Sequence, residues 1–334
     1  MSTFDRKGGA EQIAWNLLEA YARAGHQSWL AVGEKLSDHP DVFEIPEDPY
    51  GRTWKRTCIE TAAWLDRHFD QFFKLGVRLD NYAQDLRSLV KLREELDFEQ
   101  GRENFEFYGS HELLNLTPAR PDIVHCHNLH VDYFDLRYLA KLSHTVPTVL
   151  TLHDAWLSTG HCAHSFDCQR WRTGCGSCPD LEIYPPIEAD GTAANWKRKK
   201  QIYEKCKLYV TSPGKWLLNR MQESILSPGV VEWKHIPNGV RTDCFRPADR
   251  NSVRQSLGIP SEARVLMFAG NFLRKNPFKD LTTLRGALQI IGQRPESENL
   301  LLLAVGDAGE TQRVGHATLK YISFVSDPFE MATY

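Results

Sequence analysis

Two short apolar runs that end in histidine constrain the fold of this chain most strongly. The first, PDIVHCHNLH, covers residues 121–130, and the second, TVPTVLTLHDAW, covers residues 145–156. Each has the β-branched residues of a buried strand and then turns polar. In an open parallel sheet, residues just past the carboxyl ends of the strands line the ligand crevice. One histidine there would simply cap its strand, whereas four polar residues together predict a site: His125, His127, His153 and Asp154.

Composition places the chain among ordinary globular proteins and excludes several classes. The 334 residues are 42% hydrophobic and 25% charged, which allows two domains with substantial cores. The formal net charge of -3 and the lack of a basic stripe argue against nucleic acid as a partner. No apolar run is long enough to span a bilayer and no signal peptide opens the chain, so we expect a cytoplasmic protein.

Short apolar segments alternate with helical patterns along most of the chain, which is typical of a doubly wound α/β fold. Further strands are predicted at residues 27–33, 207–213, 230–240, 263–270, 299–307 and 321–325. Helices are predicted at residues 193–205, 214–224 and 280–292. Residues 34–115 are predicted to decorate the sheet with helices, at 57–75 and 85–106.

The start of the chain departs from this pattern. A Gly8-Gly9 loop opens a helix, but only Met1 to Thr3 precede the polar loop, so no opening strand is predicted. We expect an N-terminal Rossmann-like domain at residues 1–245, which carries the helical insertion 34–115 and a cysteine-rich loop at 159–179. A partial second domain of the same kind is expected at residues 262–334.

Several motifs resemble those of glycosyltransferase family 4. They are GGA (8–10), DIVHCHN (122–128), TLHDAW (151–156), IPNGV (236–240) with FRP (245–247), FAGNFLRKNPFKDL (268–281), AVGD (304–307) and FVSDP (324–328). The resemblance implies the GT-B architecture, in which two Rossmann-like domains face each other across a cleft. The TGHC and GC-x-x-CP elements within 159–179 resemble those of transferases that build bacterial exopolysaccharides or related surface glycans.

The resemblance also implies an activity. Family members move a sugar, with retention, from a UDP- or GDP-sugar to a hydroxyl group of a glycan or lipid-linked acceptor. No catalytic metal or other cofactor is expected, because positive side chains and helix N-termini stabilise the leaving diphosphate. The enzyme would work in the cytoplasm, and the inner face of the membrane is one location where it could act. The alternative is a non-catalytic remnant that binds a glycan or a partner.

The first-domain residues take their roles from this resemblance. His127 is expected near the transferred sugar or the diphosphate, and a neutral imidazole there can both donate and accept a hydrogen bond. His153 and Asp154 would face the acceptor. Asp154 is expected to position the acceptor hydroxyl rather than to act as its base, because the donor phosphate often takes that proton in retaining enzymes of this type.

Residues in three further motifs are implied to bind the donor or to join the domains. Gly9, in the Gly-rich loop, would offer backbone N–H groups to the diphosphate. Lys279 stands where the family has its phosphate-binding lysine, and Arg274, with Lys275 as rival, is the nearest candidate for the family arginine. Asn238 and Gly239 would form a hinge between the domains.

One family feature has no counterpart in the chain. Family members carry two glutamates separated by seven residues in the second domain, and no glutamate pair after Lys279 has that spacing. Together with the lack of a predicted opening strand, this predicts that the chain is truncated at both ends.

Two local clusters allow more than one interpretation. The thiols of Cys162, Cys168, Cys175 and Cys178 could bind a structural zinc ion, form two disulfides or remain free. A basic run at residues 196–200 could contact anionic lipid, but such runs on helices more often form a solvated face, and we predict the latter.

Overall fold

The computed structural model describes residues 1–46, 61–62, 64, 84–85, 95–274 and 276–334. The described chain divides into two compact units, Met1–Asn238 and Gly239–Tyr334. The helix predicted at 57–75 lies almost wholly outside the described residues. Of the one predicted at 85–106, residue 85 and residues 95–99 are described as helical. The domain bounds 1–245 and 262–334 stay a prediction.

The first unit is built on parallel strands with helical crossovers. Its strands are β1 (Ser2–Phe4), β2 (Leu30–Glu34), β3 (Val42–Glu44), β4 (Val124–His127), β5 (Thr148–Thr151), β6 (Leu208–Ser212) and β7 (Val230–His235). Its helices are α1 (Gly9–Arg23), α2 (Tyr138–Thr145), α3 (Thr192–Tyr203) and α4 (Lys215–Gln222). The strands pair in parallel in two sheets, β1-β2-β3 and β4-β5-β6-β7.

Hydrogen bonds of Met1 join these two sheets edge to edge. The His127 N–H donates to the Met1 carbonyl oxygen at 2.9 Å, and the Met1 amino group donates to the His125 carbonyl oxygen at 2.5 Å. The resulting order, 3-2-1-4-5-6-7, is that of a Rossmann fold. Crossovers run away from the centre in both directions, so the loops after β1 and β4 meet at the topological switch point.

The prediction that the opening strand is missing was wrong. Strand β1 is only three residues long, and it pairs in parallel with β2. Its Ser2 and Thr3 are buried because neighbouring strands cover them, not because they are apolar. Strand β3 was also missed, because residues 34–115 were predicted to be helical decoration. Both strands are too short to show a hydrophobic period.

The second unit contains a smaller sheet. Its strands are β8 (Arg264–Ala269), β9 (Leu300–Val305), β10 (Gln312–Val314) and β11 (Ala317–Ile322), in the order β10-β11-β9-β8. Its helices are α5 (Arg250–Ser256), α6 (Leu281–Gly292) and α7 (Pro328–Met331). Strands β8, β9 and β11 are parallel, and β10 forms an antiparallel hairpin with β11. The hairpin was not predicted, and it turns at Gly315, whose φ of 63° suits glycine.

These sheets confirm the predicted α/β class. Buried side chains of α1, namely Ala14, Trp15 and Leu18, pack on β2 and β3, and a larger core surrounds β4 to β6. In the second unit, α6 packs on the sheet through Leu281 and Leu288. Among the described residues, no helix is both long enough and apolar enough to cross a bilayer.

The basic run on α3 is only partly solvated, so the prediction of a solvated face was wrong for two of its residues. Lys199 is 0% exposed and its Nζ lies 2.8 Å from the carboxylate of Glu103. Arg198 donates to the Glu103 carbonyl oxygen at 2.8 Å, and its guanidinium lies over the ring of Phe105. The run therefore anchors α3 to the segment around residue 103.

Candidate active site at the carboxyl ends of β4 and β5

The predicted histidines meet at one edge of the central sheet. His127, the last residue of β4, and His153, two residues past the end of β5, share a hydrogen bond of 2.9 Å between Nδ1 and Nε2. Their rings are stacked with centroids 5.2 Å apart. His127 is only 2% exposed, whereas His153 is half-buried, so His153 presents the imidazole surface at this edge.

His125 lies in the same cluster and connects it to the next strands. Its ring centroid is 4.4 Å from that of His127. Its Nε2 hydrogen-bonds to the Thr151 hydroxyl at 2.7 Å, and Thr151 in turn bonds to the Thr211 hydroxyl at 2.7 Å. A row of side-chain hydrogen bonds thus runs across β4, β5 and β6 and fixes the orientation of the His125 imidazole.

All three imidazoles are kept neutral. Burial lowers the pKa of His125 from its usual 6.5 to about 3, and lowers the pKa of His153 to about 4. Burial lowers the pKa of His127 still further, and the neighbouring His125 adds to the effect. The His127–His153 bond needs one N–H and one lone pair, so at least one of these two imidazoles must be neutral to form it.

The lowered histidine pKa values predict an acid-sensitive first unit. Below pH 6.5 the histidines of the unfolded chain bind protons, whereas those of the folded chain stay neutral down to about pH 4. The free energy of unfolding should therefore decrease as the pH is lowered from 6.5 toward 4. We expect a slope of up to about 1.4 kcal/mol per pH unit for each histidine. Urea unfolding at pH 7.5, 6.0 and 5.0 measures it, since all nine tryptophans lie in residues 15–233 and their fluorescence reports the first unit.

A His153→Gln variant is the control for that prediction. Glutamine keeps a hydrogen-bonding group beside His127 but cannot titrate, so the slope between pH 6.5 and 5 should become shallower. An unchanged slope would show that the acid sensitivity comes from other groups.

Asp154 faces a partner that the sequence analysis did not identify. Its Oδ2 accepts a hydrogen bond from Nε2 of His130 at 2.8 Å, and its Oδ1 accepts one from the Trp156 N–H at 2.9 Å. Burial raises the pKa of Asp154, but His130 and the other hydrogen bonds outweigh it and the net shift is downward. His130 ends the same PDIVHCHNLH segment, so the signal was present in the sequence.

The loop that follows β4 and carries His130 has a strained backbone. Asn128, Val131 and Asp132 have φ values of 35°, 71° and 53°, which is costly for a β-branched residue such as Val131. The Tyr133 hydroxyl holds the loop by donating to the carbonyl oxygens of Asn128 at 2.5 Å and of His127 at 3.2 Å. Strain of this kind is typical of functional sites.

Gly9 is the first residue of α1, at the switch point beside β4. A side chain on Gly9 would meet no atom within 4 Å, whereas one on Gly8 would come within 2.4 Å of the Glu11 carboxylate. Glu11 is buried in the first turn of α1 and was not identified from the sequence. Its carboxylate lies near the positive end of the helix dipole, where it would repel an anion bound at the same end. The role of Gly9 in binding a diphosphate stays a prediction.

In the second unit, the predicted phosphate-binding residues gather at the carboxyl ends of β8 and β9. The Lys279 side chain lies against the backbone of Gly270, where an added Cβ would be 3.3 Å from its Cδ and Cε. The Arg274 guanidinium binds Asp307 through two bonds of 3.0 and 3.1 Å, and this carboxylate raises the pKa of Arg274. Lys279 has no ion-pair partner among the described residues, and Lys275 lies outside them.

The predicted hinge coincides with the boundary between the two units, which falls between Asn238 and Gly239. Gly239 is not among the glycines with positive φ, so its backbone does not need the conformational freedom of glycine there. The hinge itself stays a prediction.

The cysteine-rich loop is described in full. The thiol of Cys178 lies 3.5 Å from Nε2 of His161, whose Nδ1 is bonded to the Pro185 carbonyl oxygen at 2.9 Å. Cys162, Cys168 and Cys175 form no disulfide. Within the described ranges, no group of three or more His, Cys, Asp or Glu side chains is placed to hold a metal ion. The zinc site stays a prediction, which metal analysis of reduced protein tests.

Comparison with known proteins relates the chain to glycosyltransferases. The family model described as Glycosyltransferase Family 4 matches residues 7–243, well over half of the chain. The colanic acid biosynthesis protein of Escherichia coli strain K12 that is named as glycosyl transferase WcaC is 31% identical over 179 residues, which cover 48% of this chain and 43% of that protein.

Shorter similarities reach other transferases. D-inositol 3-phosphate glycosyltransferase 2 of Catenulispora acidiphila is 41% identical over 68 residues, or 20% of this chain and 15% of that protein. The crystal structure of WaaG, a glycosyltransferase involved in lipopolysaccharide biosynthesis, aligns with all of this chain and 72% of its own at a TM-score of 0.47 and 13% identity. The matches cover less than half the length of either of the two sequence relatives.

Proposed function

Because the chain belongs to glycosyltransferase family 4, we propose that it transfers a sugar, with retention, from a nucleotide-diphosphate sugar to a hydroxyl group of a glycan or lipid-linked acceptor. The donor is a UDP- or GDP-sugar. The observation that carries this proposal is the carboxyl edge of β4 and β5, where a neutral imidazole pair and the His130–Asp154 pair meet at the switch point of a Rossmann sheet.

The first unit supplies the groups that handle hydroxyls. Neutral imidazoles can accept a hydrogen bond on one nitrogen and donate one from the other without bringing charge. His153 offers this chemistry at the surface, and His127 orients it from behind. Asp154 is engaged by His130 and by the Trp156 N–H, so it acts by positioning. The proton of the acceptor hydroxyl then passes to a phosphate oxygen of the departing nucleoside diphosphate.

The second unit supplies positive charge for that leaving group. As the bond between sugar and phosphate breaks, negative charge grows on the diphosphate and must be stabilised. Lys279 carries an ammonium with no acidic partner in the described part of the chain, at the carboxyl end of β8. Arg274 is aligned by Asp307, which partly offsets its charge, so Lys279 is the stronger candidate.

One relative supports a proposal for the biological product. WcaC is named for colanic acid biosynthesis, which supports a role for this chain in bacterial surface polysaccharide synthesis. A lipid-linked acceptor would bring the protein to the inner face of the membrane as a peripheral protein. On the basic run, Lys197 is exposed and would be available to anionic lipid. Arg198 and Lys199 are engaged within the protein, and Lys200 is paired with Glu204 at 3.9 Å.

The direct test is donor turnover. The purified chain is incubated with UDP-glucose, UDP-galactose, GDP-mannose or GDP-fucose and a mixture of saccharide acceptors, and release of UDP or GDP is measured. We expect one nucleotide class to be released in an acceptor-dependent way, with NMR of the product showing the donor's anomeric configuration. Titration with UDP and GDP alone is run in parallel. Binding of a saccharide without binding of either nucleotide would favour the non-catalytic glycan-binding alternative.

A further inference from the structure

A cavity of about 600 Å³ lies in the first unit next to the histidine edge. Its volume falls within the roughly 300–1,000 Å³ typical of small-molecule sites. It is formed by segments that are distant in sequence: residues 97–108, the strained loop after β4, and residues 184–188. None of the resemblances assigns a role to the first or the last of these segments.

The cavity borders the candidate active site at His130. His130 lines it and is also bonded to Asp154. The Nδ1 atom of His130 is buried and has no hydrogen-bond partner among the described residues. Tyr184 lines the cavity too, and its ring lies 5.9 Å from that of His130. A molecule in the cavity therefore lies beside the groups that position the acceptor hydroxyl.

Aromatic rings provide the apolar surface of the cavity. Phe98 is 62% exposed and Tyr184 is 46% exposed, although both are large rings that solvent contact disfavours. The C–H groups of a pyranose form an apolar face that packs on the negative face of such rings. Flat exposed rings at a cavity with polar walls thus suit a saccharide.

The charge of the walls indicates which saccharides fit. Five acidic and two basic side chains line the cavity. Both arginines are engaged, because Arg102 binds Asp97 at 3.2 Å and Arg198 donates to the Glu103 carbonyl oxygen and covers Phe105. The Glu103 and Glu106 carboxylates are paired with Lys199 and Arg137.

Two carboxylates remain that have no ion-pair partner in the described part of the chain, those of Asp132 and Glu188. Burial raises the pKa of Asp132, as expected for a carboxylate that is partly removed from water. A phosphate group brought into this cavity would be repelled by them, whereas sugar hydroxyls can donate hydrogen bonds to them.

We propose that this cavity, which we call the acceptor cavity, binds the terminal residue of an uncharged saccharide and disfavours phosphorylated acceptors. The inference rests on the proposed function, and it separates this chain from relatives that are named for inositol 3-phosphate. The saccharide packs on Tyr184 and Phe98, and its hydroxyls bond to Asp132 and Glu188. The reacting hydroxyl points toward the His130–Asp154 pair.

The test is a binding titration of the full chain, followed by saturation-transfer NMR. The uncharged probes are methyl β-D-glucopyranoside, methyl β-D-galactopyranoside and myo-inositol, and the charged probes are glucose 6-phosphate and myo-inositol 3-phosphate. We expect at least one methyl glycoside to bind ten-fold or more tightly than either phosphate. Tyr184→Ala and Phe98→Ala should each weaken that binding at least five-fold, and Tyr184→Phe should retain it.

Two further variants sharpen the result. Phe324→Ala removes an exposed ring from the second unit and should leave saccharide affinity unchanged. The double variant Asp132→Asn, Glu188→Gln should reduce the ratio between the affinities for the uncharged and the phosphorylated probes. Tryptophan fluorescence and circular dichroism of each variant verify that it is folded.

Three outcomes would overturn the inference: phosphorylated probes that bind as tightly as the glycosides, ring variants that leave glycoside affinity unchanged, or no glycoside binding at all. The parallel nucleotide titration keeps the proposed function separate. If UDP or GDP binds and is released from a donor while no glycoside occupies the cavity, the transferase proposal survives and the acceptor-cavity inference falls. If glycosides bind and no nucleotide does, the cavity stands and the transfer proposal falls.

Discussion

Replacing Lys199 by alanine is expected to lower the free energy of unfolding of the first unit by about 3–5 kcal/mol, the cost typical of breaking a buried ion pair from one side. Lys199 Nζ contacts the Glu103 carboxylate at 2.8 Å and the carbonyl oxygens of Trp156 and Thr159 at 3.1 and 3.2 Å. Alanine would leave Glu103 charged and nearly buried, would remove a donor from the Trp156 and Thr159 carbonyl oxygens, and would open a void beside the Trp156 ring.

The measurement is urea unfolding followed by tryptophan fluorescence, with Lys197→Ala as the matched control. Lys197 lies two residues earlier on α3 and is exposed, so its loss should change the free energy of unfolding by less than about 0.5 kcal/mol. A double variant, Lys199→Met with Glu103→Gln, removes both charges and keeps an acceptor for the Trp156 indole N–H. It should lose less stability than Lys199→Ala. Equal losses in Lys199→Ala and Lys197→Ala would contradict the structural role of the pair.

Replacing Lys279 by alanine is expected to lower kcat/KM for sugar transfer by about 10²–10³-fold, as loss of a single preorganised group that stabilises developing charge commonly does. The side chain lies against Gly270, so its ammonium is held near the carboxyl end of β8, where a phosphate approaches the backbone of an α/β unit. The assay is release of UDP or GDP in the presence of acceptor.

Two variants make the Lys279 result specific. Lys279→Arg keeps the charge and should recover part of the rate, although the guanidinium has a different geometry. Arg250→Ala removes an exposed positive charge from α5 and should leave the rate unchanged. A normal rate in Lys279→Ala would show that this lysine does not bind the diphosphate.

Much of the fold was predictable because it depends on local patterns. The strands β5, β6 and β9 are short runs of branched or leucine-rich residues, and the helices α3, α4 and α6 fall close to where they were predicted. Strand β1 could not be predicted, because it becomes a strand only by pairing with β2 and bonding to His125 and His127. Pairing across the chain overrides a polar sequence in so short a segment.

The contacts of the candidate site were likewise predictable only in part. The association of His127 with His153 was predictable, because parallel strands place their carboxyl ends at one edge. The pairing of Asp154 with His130 was not, because the turn at Asn128, whose φ is 35°, decides where the chain places the third histidine of the segment. Side-chain partners across a turn depend on backbone dihedrals that composition does not specify.

By itself, the sequence determined the α/β class, the family and the edge of the sheet where the predicted histidines meet, because strand ends, turns and motifs depend on neighbouring residues. The tertiary structure alone decided which charges are buried and which surfaces form a cavity. Glu103 and Lys199 are far apart in the chain, and so are Phe98, Asp132 and Tyr184. Burial and charge pairing are properties of packing between distant segments, so only the folded chain could show them.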